Sequence, residues 1–326
     1  MSAEIGVGFI GAGSVFPYHL AGMLACEGAK PIGLYDKDQQ TGIQEAEKYG
    51  LKRFESAEEL VSDPEVQAVL VLTPLEDHFP NVKLALHADK HVLVEKPVGV
   101  SVAEIQRMKI LAQRRNLVCM PGHNNIYHPN VVKMKESIES GRLGQLSEIY
   151  LMYNIFHPEE TAKKYPGVIK QVGSHHAYTL LYLAGLPKSI AAMKTVQHYQ
   201  EYKKEDIFMA IVKMRSNALA HLSVNFAADD HSTDPWSLII KVLGFKGTSR
   251  FSHNDEVVNE PGIVHSHTYV AYPDSIIEED KYFINCIRDK SKQPLSTLDD
   301  AIRVQKILRC IEKAAYTGRT QYTKYL

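Results

Sequence analysis

The sequence predicts two folded parts. The first is an α/β domain over residues 1–125 built on a doubly wound parallel sheet. The second is an α+β domain over residues 126–326 with a large open, mainly antiparallel sheet. Three observations predict this. Strand-like and helix-like segments alternate about six times within the first 120 residues. The strands there are continuous apolar runs, such as "VQAVLVLT" at 66–73, as burial on both faces requires. Beyond about residue 125 the strands lengthen and their apolar residues alternate: Ile149, Leu151, Tyr153 and Ile155 fall on one side of a half-buried strand.

Taken in order, "EIGVGFI" (4–10) is a short buried strand, followed by a helical pattern through Leu20 and Leu24. A second strand (30–35) ends at Asp36, and a helix over about 40–49 is closed by Gly50. Ser56 with Glu59 three residues on is a capping-box pattern that opens another helix. Strand 66–73, helix 78–88, strand 91–95, helix 101–115 and strand 117–122 complete the first domain. The second begins with a helix near 129–140 that ends at Gly141. Strands follow at 146–156, 189–199, 207–214, 218–227 and 237–244, with "MRSNA" (214–218) as a hairpin turn. A last helix, about 297–316, is expected to return to the first domain or its edge.

Of the 326 residues 44% are apolar and 23% charged, and the net charge is −1, which offers no electrostatic footprint for nucleic acid or an anionic membrane. There is no apolar stretch long enough for a transmembrane helix, and from the first residues, which show no basic-then-apolar pattern, no secretory signal is expected. Cys26, Cys119, Cys286 and Cys310 are scattered, which fits reduced thiols and a cytoplasmic protein. His265-x-His267 has no third ligand at a telling spacing, so no metal is expected.

"GAGSVF" (11–16) lies between the first strand and the first helix. Gly11 allows a tight turn and Gly13 lets backbone approach a pyrophosphate. Ser14 and Val15 lead into a helix N-terminus whose N–H groups and dipole favour the anion. Phe16 stands where the dinucleotide fingerprint has a third small residue. Asp36, 23 residues beyond Gly13, sits where a carboxylate accepts both ribose hydroxyls of NAD and repels a 2′-phosphate; Lys37 beside it leaves NADP possible. The domain is therefore a Rossmann nucleotide-binding domain. Ligands in such sheets lie at the carboxyl ends of the strands. Thr73-Pro74 and Glu95-Lys96-Pro97 are such ends and are expected to face the cofactor.

With "GFIGAGSV", "TPLEDHFPNVKLALHADKHVLVEKPVG" and the antiparallel second half, nearly the whole chain resembles the glucose–fructose oxidoreductase / inositol dehydrogenase (Gfo/Idh/MocA) family. The resemblance implies that His78 belongs to a T-P-x-x-x-H cofactor motif and that Lys96 is the catalytic lysine beside the substrate. It implies a secondary alcohol of a sugar, cyclitol or sugar derivative as substrate, NAD or NADP as cofactor, and a homodimer or homotetramer formed through the open sheet. Hydride transfer fits these residues: the hydroxyl proton needs a base, and the developing alkoxide a nearby cation. Burial beside the nicotinamide's charge should lower the Lys96 pKa, and a cis bond at Pro97 would aim its amine.

Within "KQVGSHHAYTLLYLAGLP" (170–187), His175 matches the family's catalytic histidine. Gln171 and Tyr178 stand where the family has aspartates. Gln171, His175 and Thr179 are spaced to share one helical face, so Gln171 can orient substrate or His175 without carrying charge. His176 could serve a substrate hydroxyl or local packing. Asn124 and Tyr127 in "GHNNIYHPN" could touch substrate or nicotinamide, or be structural. Two other functions fit the same residues. One is a retained-NAD enzyme that transiently oxidises a glycoside for elimination. The other is a nicotinamide- and sugar-binding sensor without catalysis.

Overall fold

The computed structural model describes residues 4–228, 236–252 and 271–323. His265 and His267 lie outside them. The chain divides into two compact units: Met1–His128 with Pro273–Ile302, and Pro129–Tyr272 with Arg303–Leu326.

The first unit contains β1 (Ile5–Ile10), α1 (Phe16–Leu24), β2 (Ala29–Tyr35), α2 (Gln39–Tyr49), β3 (Lys52–Arg53), α3 (Ala57–Ser62), β4 (Ala68–Val71), α4 (His78–His87), β5 (His91–Glu95), α5 (Val102–Arg115) and β6 (Cys119–Gly122). Its six strands are all parallel in the order β3-β2-β1-β4-β5-β6. The order reverses between β1 and β4, which opens the crevice where such sheets take ligands. Val69, Val71, Val92 and Val94 are fully buried in the core. Each contributes about 1.5–3 kcal/mol on burial, so the continuous apolar runs decided the sheet. Ser56 accepts from the Glu59 N–H at 3.0 Å, and Glu59 reaches back to the Glu55 N–H at 2.7 Å, capping α3.

The second unit holds α6 (Pro129–Glu139), β7 (Leu146–Ile155), α7 (Glu159–Ala162), α8 (Val168–Gln171), α9 (Gly173–Ala184), β8 (Pro187–Thr195), β9 (Ile207–Met214), β10 (Leu219–Asn225), β11 (Trp236–Gly244) and β12 (Thr248–Ser252). Two helices follow, α10 (Ala271–Arg288) and α11 (Leu298–Thr317), then β13 (Gln321–Tyr322). From Pro273, α10 belongs to the first unit; the start of α11 does too, placing Leu298, Ala301 and Ile302 in that unit's core. The seven-stranded sheet runs β12-β11-β7-β10-β9-β8-β13 and is antiparallel except for the parallel pair β7–β10. The turn at 214–218 is a hairpin, with Asn217 at positive φ and the Met214 N–H donating to the Ala218 carbonyl. One face of this sheet is buried; on the other Met193, Met209, Ile211 and Leu219 stay exposed.

The expectation of one continuous helical face for Gln171, His175 and Thr179 is corrected. The helix breaks at Val172, so Gln171 ends α8 and His175 sits in the first turn of α9. The Ser174 hydroxyl donates to the Gln171 carbonyl at 3.0 Å, while the His175 N–H turns to the Val172 carbonyl. A serine hydroxyl has thus taken the acceptor that a continuing helix would need.

Candidate active site

In the first unit, the buried strand β1 runs straight into Gly11. This residue has φ +98°, and a Cβ there would lie 2.8 Å from the Leu72 backbone carbon, so the fold itself demands glycine. Gly13 differs: a Cβ there would meet nothing within 4 Å. Its small size keeps space open above the loop rather than relieving a clash within the protein. Phe16 is fully buried and packs edge-on against Phe9, so the third fingerprint position has become a core aromatic. Ser14 and Val15 sit between Gly13 and α1, which begins at Phe16 with no side-chain cap.

Asp36 follows β2. Its carboxylate accepts from the Ala12 N–H at 2.7 Å and the Asp38 N–H at 2.8 Å, which pins it against the glycine loop. Lys37 turns to Asp77, 2.7 Å away. Thr73, beyond the end of β4, has a buried hydroxyl with no hydrogen-bond partner among the described residues. An orphaned buried hydroxyl at a strand's carboxyl end, an open cradle at Gly13 and a pinned carboxylate at Asp36 together fit a dinucleotide. His78 ties strand ends together: its ring nitrogens lie 2.8 Å and 2.9 Å from the carbonyl oxygens of Thr73 and Pro97. Burial holds its pKa below the ordinary value despite those carbonyls, so the neutral ring donates to one of them at a time.

Lys96 follows β5, and its peptide bond to Pro97 is cis. Desolvation by the surrounding protein lowers its amine's pKa, and the neighbouring Glu95 charge opposes that. Glu95 is buried. It accepts from Lys96's own N–H at 2.7 Å and lies 3.2 Å from His19 Nε2. Burial works against its ionisation, but His19 and Lys96 outweigh it and hold Glu95 below the usual carboxylate range. Asn124 donates to the Ser275 hydroxyl at 2.9 Å, and Tyr127 packs against Tyr282; both are buried against α10.

In the second unit, His175 is buried on α9 with Nδ1 2.5 Å from the Tyr178 hydroxyl. Tyr153 of β7 meets the same ring edge-on at 5.7 Å. His176 donates from Nε2 to the Ser223 carbonyl at 2.9 Å, and burial pushes its pKa down to about 4. It is a neutral ring tied to β10.

Sequence reasoning missed His19, Glu279 and Asp280. All three are fully buried; His19 Nδ1 lies 2.9 Å from Asp280 Oδ1. A signal existed. Ile276, Glu279, Asp280, Phe283 and Ile284 follow a helical stripe, so two acids occupy positions that the apolar period reserves for core.

The parallel sheet with its glycine loop, carboxylate and strand-end lysine defines a dinucleotide-binding oxidoreductase fold. Residues 5–123 match the family described as "Oxidoreductase family, NAD-binding Rossmann fold", and residues 131–250 match the GFO/IDH/MocA C-terminal domain. The chain belongs to the Gfo/Idh/MocA family, and residues 5–123 match the family's NAD-binding domain. It is 31% identical over 192 residues to the uncharacterized oxidoreductase YhhX of Escherichia coli, covering 57% of this chain and 56% of that one. It is 28% identical over 141 residues to the scyllo-inositol 2-dehydrogenase (NADP(+)) IolW of Bacillus subtilis, covering 41% and 39%. These matches therefore span about half or less of the relatives' own length. Apo scyllo-inositol dehydrogenase from Lactobacillus casei superposes with a TM-score of 0.89 at 18% identity over 99% of both chains, a likeness of fold. Among the described residues no helix is long and apolar enough to cross a membrane.

Proposed function

We propose that the protein oxidises or reduces a secondary alcohol of a sugar, cyclitol or sugar derivative with NAD. The observation that carries this is Lys96: an amine with a pKa lowered by burial, at the carboxyl end of a Rossmann strand, in a unit whose glycine loop is built for a dinucleotide. Gly11, Gly13, Ser14 and Val15 would hold the pyrophosphate, Asp36 the ribose, and Thr73, Pro74 and Glu95 would line the nicotinamide end. A nicotinamide held there would supply the hydride acceptor for the carbinol carbon. Lys96 takes up the hydroxyl proton and, once protonated, steadies oxygen charge. His175 serves as the second acid/base, and Tyr178, in place of an aspartate, holds its Nδ1. Gln171 would orient substrate.

Asp36 favours NAD over NADP, because Lys37 is drawn to Asp77 and leaves the carboxylate's charge facing a 2′-phosphate. The exposed Met193, paired across strands with Met209, and Ile211 beside them support a homodimer or homotetramer through the open sheet. Sedimentation of Met209→Asp should then show smaller species.

The test is absorbance in the NADH band with NAD or NADP and a panel of sugars, inositols and glycosides. A rise with a polyol and NAD is expected. Altered glycosides without net NADH would instead establish the retained-cofactor mechanism. Neither NADH nor product, despite bound NAD, would favour a sensor.

A further inference from the structure

Behind Lys96 lies a chain of buried ionisable groups that hydride transfer does not itself use. His19 of α1 is fully buried and lies 3.2 Å from Glu95 through Nε2 and 2.9 Å from Asp280 through Nδ1. A ring that donates from both nitrogens to two carboxylates is an imidazolium. Burial alone would discharge it; the charge and hydrogen bond of Asp280, then those of Glu95, hold its pKa well above the ordinary value. The fold makes room for this arrangement. A methyl group at Gly22, one turn along α1, would collide with Asp280 Oδ2. That oxygen has no hydrogen-bond partner among the described residues.

We propose that His19, held by Asp280, is a positioning residue that offsets the charge of Glu95, whose carboxylate accepts from the Lys96 N–H, and so sets the pH at which the Lys96 amine can take a proton. This rests on Lys96 being the proton acceptor. Without the imidazolium, the Glu95 charge that acts on the Lys96 amine would be uncompensated, and a carboxylate beside an amine holds it protonated. Among the described residues, Lys281 and Arg288 on α10 are cations near the Asp280 end, where both act on Cys26. Glu279 on α10 is fully buried and kept neutral, chiefly by desolvation. Its oxygens make no hydrogen bond of ordinary geometry, although the His123 N–H gives some backbone support. His123 is neutral, pushed down to about 3 by burial, with Nδ1 2.6 Å from the Ser296 hydroxyl. Asp280 is pushed up to about 6 by burial, against the pull of His19, and is still ionised at pH 7. Cys26 is a thiol whose pKa burial and Asp280 raise further.

The test reads the Lys96 amine without turnover. The full chain, with NAD present, is labelled competitively with acetic anhydride across pH, and the Lys96 peptide is quantified by mass spectrometry. His19→Gln should slow acetylation of Lys96 roughly tenfold at pH 7 and move the labelling profile to higher pH. An unchanged or faster rate would overturn the proposal. Should His19→Gln fail to fold, imidazole ¹⁵N resonances decide. His19 should remain an imidazolium from pH 6 to 8 in the wild type and titrate within that range in Asp280→Asn; identical behaviour in both overturns it. Loss of the reading that Lys96 is catalytic would show separately, as turnover that survives Lys96→Ala.

Discussion

Each unit holds one of the two proposed proton-handling groups, Lys96 half-buried and His175 buried, and surrounds it differently. In the first unit Lys96 sits against an ionic chain, Glu95–His19–Asp280, drawn from β5, α1 and α10. In the second unit the Tyr178 hydroxyl meets His175 Nδ1, and Gln171 stands where the family resemblance implies a carboxylate. The difference teaches that two proposed proton-handling groups can be held by two electrostatic strategies. A carboxylate stabilises a cation strongly and shifts its titration; a phenol orients an imidazole while leaving its charge nearly unassisted.

The strongest way to break the comparison is His175→Ala. If the His175–Tyr178 pair is catalytic, turnover should fall roughly 10²–10⁴-fold with NAD affinity unchanged, measured as kcat beside calorimetric NAD binding. Retained turnover would leave the second unit with substrate binding alone. Tyr178→Phe is the finer cut, expected to lower kcat about tenfold, the worth of roughly one hydrogen bond. Tyr178→Asp sharpens the contrast. It makes the second network ionic, and because a base must be neutral to accept a proton, the acid limb of the pH–rate profile should move to higher pH.

The smallest effect concerns stability. The folded pKa of Glu279 is raised by desolvation, so folding favours its proton. The sign follows: stability is intact below the unfolded carboxyl range and is lost as pH rises toward the folded value. The raised His19 contributes in the same sense, its stabilisation present below the ordinary histidine value and lost as pH rises through the folded one. Glu279→Gln should therefore stabilise the protein by about 1 kcal/mol at pH 8 and by nothing at pH 4, read by denaturant unfolding. Equal effects at both pH values would contradict the assignment.

Local patterns made the first unit legible. Continuous apolar runs forced buried parallel strands, and Gly11, Gly13, Asp36 and the Glu-Lys-Pro end of β5 mark one crevice by chain order alone. What stayed hidden needed partners distant in sequence. His19 looks like any residue of an amphipathic helix until Asp280, 261 residues on, is placed beside it. Spacing suggested one face for Gln171 and His175, but Ser174's hydroxyl broke the helix between them. The Tyr178 contact joins residues three apart, and only the helix backbone shows that their side chains meet.

The central claim is that Lys96 moves the proton during NAD-dependent oxidation of a polyol. The most direct measurement compares wild type and Lys96→Ala for NAD binding by calorimetry and for NADH formation with the polyol that the wild type oxidises. The account predicts equal NAD affinity and turnover reduced at least about 10²-fold; turnover within a few-fold of wild type would contradict it.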